Sequence, residues 1–331
     1  MKRVCVLPGD GIGPEVVGCA LRILESVAPS IEFVHADIGQ TALRNSGSCL
    51  PEATLETMRG CDSALFGAVT STPDLEHRSP VLTFRKELDL YANIRPVKSM
   101  TTLPGRLPID VMIVRENTEG LYHQREDEDG EGVTTHRRVT RRACERIVDI
   151  AIQQAMGRSR KSVCCVHKAN VLKRSDGLFV EVFRERASGR EATVIKWEQL
   201  VDSAAMLLVT EPSKFDVIVT LNLYGDILSD VAAGVAGGLG FAPSGNIGPK
   251  HSVFEPAHGS APDIAGKGVA NPTAAILSAA MMLEHLGMRD EAMEIRSAVA
   301  ATYVSGESTI DIGGKLGSDA FTNLVVSRLR A

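Results

Sequence analysis

Phe215-Asp-Val-Ile-Val-Thr-Leu-Asn-Leu-Tyr-Gly-Asp-Ile-Leu-Ser-Asp-Val-Ala-Ala233 reads as a strand to Leu221 and a helix from Gly225 to Ala233. The same alternation recurs outward from it. Ser162–His167 reads as a strand and Asp176–Ala187 as a helix. Near the N-terminus, the β-branched run Arg3 to Leu7 precedes a helix with Val16, Ala20, Leu21, Leu24 and Val27 on one face and Pro14 in its first turn. Ile31 to Ile38 reads as a strand, Pro51 to Met58 as a helix and Ser63 to Val69 as a strand. Strands alternating with helices predict an α/β fold with a largely parallel central sheet.

A chain of 331 residues is long for one core, so two domains are expected. The 44% apolar and 23% charged fractions are those of an ordinary globular protein. A net charge of −5 argues against polyanion binding, and so against nucleic acid as a partner. The longest apolar stretch, around Ala279 to Leu283, is far below membrane-spanning length, so no membrane role is expected. The N-terminal run breaks at Pro8-Gly-Asp10, too early for a secretory signal. Seven cysteines with no C-x-x-C pair read as buried thiols in a reducing cytoplasm, not a zinc site.

Asp226 and Asp230 lie four apart in an apolar helical frame, hence on one helix face. Two stacked carboxylates with no adjacent Lys or Arg in sequence invite a hard divalent cation. Some thirty residues on, His258-Gly-Ser-Ala-Pro-Asp-Ile-Ala-Gly-Lys-Gly-Val-Ala-Asn-Pro272 is a small-residue loop running into a helix, suited to close approach by a nucleotide. By contrast, Gly9-Asp-Gly-Ile-Gly13 has G-x-G-x-G spacing and a following proline. It lacks the three glycine roles of a Rossmann fingerprint and reads as a tight strand-to-helix turn.

Arg85, Arg95 and Arg115 each sit beside an apolar run, the last two at expected strand ends. Singly, each reads as a structural ion pair or an exposed charge. Together they suit a polycarboxylate, because the guanidinium fork binds carboxylate bidentately. Tyr122 reads as packing or as a site residue. Lys168 ends a strand, where open α/β sheets place their sites, although a surface lysine is the commoner case. Asp202, in an apolar helical frame, reads as a buried acid needing a partner, as a helix cap, or as a third metal ligand. Residues 123–138 are strongly polar and read as a solvated loop or a projecting hairpin. Residues 234–248 hold six glycines and read as a flexible junction.

These motifs form a set. The chain resembles the β-decarboxylating dehydrogenases that act on isocitrate, homoisocitrate and 3-isopropylmalate. The resemblance runs from Leu7-Pro-Gly-Asp-Gly-Ile-Gly-Pro-Glu15 to Ile310-Asp-Ile-Gly-Gly314. Its most specific blocks are Leu90-Tyr-Ala-Asn-Ile-Arg-Pro96, Val114-Arg-Glu-Asn-Thr-Glu-Gly-Leu-Tyr122, His167-Lys-Ala-Asn-Val171, Gly225-Asp-Ile-Leu-Ser-Asp230 and His258-Gly-Ser-Ala-Pro-Asp-Ile-Ala-Gly-Lys267. It implies the two-domain, doubly wound isopropylmalate-dehydrogenase-like fold rather than a Rossmann dinucleotide fold. The first domain would comprise residues 1–90 and 237–331. The second would comprise 91–236, with a hairpin near 123–138 clasping a partner subunit.

The resemblance also assigns roles. Arg85, Arg95 and Arg115 would hold the malate carboxylates, with Ser79 and Asn170 also at the substrate. Asp226, Asp230 and Asp202 would bind Mg²⁺ or Mn²⁺, with Asp202 and Lys168 supplied by the second copy of a homodimer. Lys168 would take the hydroxyl proton and Tyr122 would protonate the enol left by CO₂. The cofactor would lie on His258, Gly259, Ser260, Ala261, Asp263, Ile264 and Asn271. NADP-using relatives carry lysine and tyrosine where this chain has Asp263 and Ile264. A carboxylate accepts ribose hydroxyls and repels a 2′-phosphate, which predicts NAD.

The loop from Asp74 to Phe84 should read the third substituent. Isocitrate enzymes typically show Ser-x-Asn there, and this chain has Ser79-Pro-Val81, losing the asparagine. Bacterial isopropylmalate enzymes show Leu-Thr-Gly-Gly where this chain has Asn117-Thr-Glu-Gly120. The stretch is most similar to archaeal-type homoisocitrate dehydrogenases, with Arg78 as a distal carboxylate partner. Homoisocitrate is the first choice, ahead of isocitrate, 3-isopropylmalate or broad specificity. Two rivals remain: a non-catalytic regulatory subunit, which would have lost some of these Tyr, Lys and Asp residues, and a plain hydroxy-acid dehydrogenase, which would want a Rossmann fingerprint and a catalytic His.

Overall fold

The computed structural model describes residues 1–70, 79–99, 107–189 and 193–329. In chain order the elements are β1 (Arg3–Gly9), α1 (Gly13–Val27), β2 (Glu32–His35), α2 (Gln40–Ser46), α3 (Glu52–Arg59), β3 (Ser63–Ala68), α4 (Pro80–Glu87), β4 (Ala92–Lys98), β5 (Asp110–Glu116), β6 (Gly120–Asp129), β7 (Gly132–Arg138), α5 (Arg141–Met156), β8 (Ser162–His167) and α6 (Ser175–Ala187). There follow β9 (Ile195–Leu200), α7 (Val201–Thr210), β10 (Val217–Thr220), α8 (Asn222–Ala236), β11 (Pro243–Ile247), β12 (Ser252–Pro256), α9 (Thr273–His285), α10 (Arg289–Val304) and α11 (Ser318–Arg328).

Two compact units emerge, Met1–Leu88 with Gly237–Ala331, and Asp89–Ala236. In the first unit β1 pairs in parallel with β2 and β3, β3 with β12, and β11 runs antiparallel to β12. In the second unit β4 is antiparallel to β5, and β5, β10, β8 and β9 follow in parallel. Every residue of β3, β10 and β12 is buried, as expected of strands covered on both faces.

The polar stretch folds as an exposed antiparallel hairpin, β6 against β7. The glycine-rich stretch read as a junction contains regular elements. Residues 239–241 form a 3₁₀ turn and 243–247 form β11, paired in register with β12. The strand read at Ile31 to Ile38 is only four residues long, because pairing with β1 ends at His35.

The chemistry of the second unit follows from its parallel strands. The carboxyl ends of β5, β10 and β8 point the same way, with Thr220 level with Arg115 and with Val166. Arg115, Lys168 and the start of α8 therefore share one edge of the sheet, the place where open α/β sheets put their sites. Below them lies an apolar core including Ile113, Val166, Leu208, Phe215, Ile218 and Leu228.

Candidate active site

The centre of the second unit's site is the Asp226 carboxylate, one turn into α8. One oxygen, Oδ1, pairs with the Arg115 guanidinium, and the other, Oδ2, accepts the Tyr122 hydroxyl. Arg95 Nη1 lies 3.4 Å from Asp226 Oδ1 and 3.6 Å from Asp230 Oδ1. The two acids are thus on one helix face, and two arginines balance them. Arg115 is 1% exposed and also donates Nε and Nη2 to Asn222 Oδ1 at 3.2 and 2.8 Å. Arg95 donates to Asn93 at 2.7 Å and to the Ser229 hydroxyl at 2.6 Å. Contrary to the strand-end expectation, Arg95 stands in the middle of β4, facing Ile113.

Gly225 explains how α8 comes so close. A Cβ there would lie 2.6 Å from both Cβ and Cγ of Arg115, inside any tolerable contact. The Arg115 guanidinium also stands 5.0 Å from the Tyr122 ring centroid. Burial first, then the bond to Asp226, pushes the Tyr122 phenol above its ordinary value, so it keeps its proton throughout the neutral range. Burial raises the Asp230 carboxyl, an effect that Arg95 opposes and Asp226 reinforces.

Lys168 follows β8 directly, and its Nζ pairs with Asp202 in the first turn of α7. The reading of Asp202 as a buried acid is corrected: its side chain is 61% exposed, in the first turn of α7. The hydrogen bond from Lys168 holds its carboxyl below the usual range. Asn170 lies in the turn after Lys168. Among the described residues of one chain, no three His, Cys, Asp or Glu side chains group as a metal site. Asp226 and Asp230 together offer two hard oxygen donors, which suits a cation completed by ligands from outside the chain.

The first unit carries the remaining candidates. Arg85 is buried and pairs with Glu255 at 2.7 Å, and Asn246 donates to the same Glu255 oxygen at 2.8 Å. Ser79 caps α4 by accepting the Leu82 N–H at 3.4 Å. Arg78 lies outside the described residues. In the loop after β12, the His258 Nδ1 faces the Gly259 carbonyl at 3.0 Å, while its shielded Nε2 has no partner among the described residues. Burial lowers the His258 pKa, keeping the ring neutral.

Ala261 adopts a left-handed φ of 37°, unusual for a residue with a Cβ, and Ser260 accepts the Ile12 N–H at 2.8 Å. Gly11 permits that contact, since a Cβ there would meet the Ser260 carbonyl at 1.9 Å. The Gly9–Gly13 turn therefore braces the loop. Asp263 is exposed and makes no hydrogen bond or ion pair to any described residue, and Ile264 is half-buried. Asn271 is buried and already engaged with Asp311, Thr273 and Tyr303. A neutral imidazole nitrogen without a partner, a free carboxylate and a strained, closely braced turn fit a dinucleotide.

Sequence reasoning missed Asn222, Ser229 and Glu255, which orient the arginines. The small polar residues flanking Asp226 carried the only available hint.

Residues 3–326 match the family model described as isocitrate/isopropylmalate dehydrogenase. The isocitrate/homoisocitrate dehydrogenase of Thermus thermophilus is 47% identical, over 99% of this chain and 99% of its own. The 3-isopropylmalate dehydrogenase of Methanothermobacter thermautotrophicus is 48% identical, over 96% of this chain and 95% of its own. A crystal structure of isocitrate dehydrogenase from Methylococcus capsulatus superimposes with a TM-score of 0.96 at 39% identity, covering all of both chains.

Proposed function

The chain belongs to the isocitrate/isopropylmalate dehydrogenase family and is a dehydrogenase of that oxidatively decarboxylating type, and from that premise we propose that it converts homoisocitrate to 2-oxoadipate with NAD and Mg²⁺ or Mn²⁺. The observation that carries the reading is the Asp226 carboxylate shared between Arg115 and Tyr122. It brings an anion-binding fork, a phenolic acid and a cation ligand to one place.

In this reading Arg95 and Arg115 bind the substrate carboxylates of a 3-substituted malate, with Arg85 and Ser79 as further substrate residues. Asp226 and Asp230 would hold the cation with Asp202 of a second copy, so the working form is a homodimer. When bound, the cation supplies Lewis-acid chemistry, acidifying the hydroxyl and stabilising negative charge on the keto oxygen. Residues 258–271 would hold NAD, which would supply the hydride acceptor for the oxidation.

Lys168, supplied like Asp202 by the second copy, accepts the hydroxyl proton as its free amine, and Asp202 pairs with the ammonium so formed. The 3-carboxylate then leaves as CO₂, its bond electrons passing into an enolate. Tyr122, held protonated by burial, delivers a proton to carbon. Asp263 accepts ribose hydroxyls and disfavours a 2′-phosphate.

Val81 and Leu82, half-buried on α4, offer apolar surface that suits a longer methylene arm or an isopropyl group, and homoisocitrate is preferred because the stretch around them resembles archaeal-type homoisocitrate dehydrogenases. One methylene is worth only about 1–3 kcal/mol, so neighbouring acids should turn over more slowly rather than not at all. The test is kcat/KM on homoisocitrate, isocitrate and 3-isopropylmalate, with NAD and NADP and fresh metal. Homoisocitrate with NAD should lead. A lead for another acid overturns the substrate, and a lead for NADP overturns the role of Asp263.

A further inference from the structure

The backbone on either side of Lys168 is held by two shielded side chains that the reaction does not consume. Asp176, in the first turn of α6, is 0% exposed, and its Oδ2 accepts the Lys168 N–H at 2.7 Å. His167, the last residue of β8, accepts the Ala169 N–H on Nδ1 at 3.1 Å. Burial lowers its pKa, which keeps that nitrogen an acceptor. The other oxygen of Asp176 pairs with Arg137 of β7, and Ser175 adds a hydroxyl at 3.5 Å. The Arg137 guanidinium in turn stands 5.0 Å from the ring centroid of Tyr224, two residues before Asp226 on α8.

A carboxylate removed from water must find its compensation in fixed partners. Asp176 finds it in a guanidinium and in the peptide N–H of Lys168 itself. We infer that Asp176 is a positioning residue for Lys168. It fixes the backbone from which the ammonium projects and, through Arg137 and Tyr224, joins that backbone to β7 and α8. The inference rests on Lys168 being the proton acceptor of the proposed reaction.

Asp176→Asn keeps the shape and one acceptor oxygen but removes the charge. Two rates separate positioning from general damage. The first is oxidation of the hydroxy acid, which needs the hydroxyl proton removed. The second is decarboxylation of the corresponding 2-oxo-3-carboxylic acid, supplied directly, which has no such proton to lose.

The oxidation kcat of D176N should fall by about 10- to 100-fold, the range expected of a misplaced catalytic group. Its KM and its decarboxylation rate should stay within about threefold of wild type, since only the step using Lys168 is affected. Arg137→Lys, which keeps the charge but loses the fork, should show the same split at smaller size, and it carries the test if D176N lacks a folded melting transition. Equal losses in both rates, or no loss in oxidation, overturn the inference. A wild type inert on all three acids instead overturns the reading on which it rests.

Discussion

At the scale of single residues, the arginines of the site are held by acids and amides rather than left to solvent. Arg85 shows this most plainly, because both it and Glu255 are buried in the first unit. Taking one member from a buried pair leaves an uncompensated charge. Glu255→Ala should therefore cost about 3 kcal/mol or more in a denaturant titration. Glu255→Gln, which keeps an acceptor for Arg85, should cost clearly less. Equal, small losses for both would mean that water reaches the site and screens the charge. Asp226 differs in kind: its side chain is a third exposed, so its partnership with Arg115 and Tyr122 serves chemistry more than stability.

At the scale of elements, Gly225 is where α8 meets β5. Gly225→Ala would add a methyl group where Arg115 already stands. Overpacking of this kind costs about 1–3 kcal/mol, partly offset by the better helix propensity of alanine, near 1 kcal/mol. The displaced guanidinium should raise KM for the hydroxy acid by roughly tenfold or more, since positioning errors near 1 Å act on that scale. Unchanged KM in steady-state assays would show that the helix simply shifts outward.

The α/β alternation, β8, the strand–helix pair at 215–233 and the facing of Asp226 with Asp230 were legible from periodicity alone. The central position of Arg95 was not, because a charge in the middle of a strand is compensated by Ser229, Asp226 and Asp230 of α8, far along the chain, besides its neighbour Asn93. Asp202 misled for the opposite reason. An apolar frame predicts burial, yet the face of α7 that bears Met206 and Val209 is itself largely exposed. The weight of Asp176 was likewise invisible, because its partners Arg137 and Lys168 approach from β7 and β8.

At the scale of the whole molecule, three histidines, His167, His251 and His258, are held below their ordinary value of 6.5, burial being the first cause for each. The unfolded chain binds protons at these sites at a higher pH than the folded one. Stability from this source is therefore complete above about pH 6.5 and is lost as pH falls from there toward the folded values. The melting temperature should decline between pH 7 and 5.5, before most carboxylates titrate. A flat profile over that interval would contradict the neutral, shielded state of these rings.

The first unit is drawn from both ends of the chain, and β12 lies beside β3 within it. During synthesis residues 1–88 leave the ribosome long before residues 252–256, so the open rim of β3 waits, unpaired, for a strand made much later. An unpaired rim of apolar strand is a template for aggregation. Chains truncated after residue 236 should consequently be ready substrates for holding chaperones.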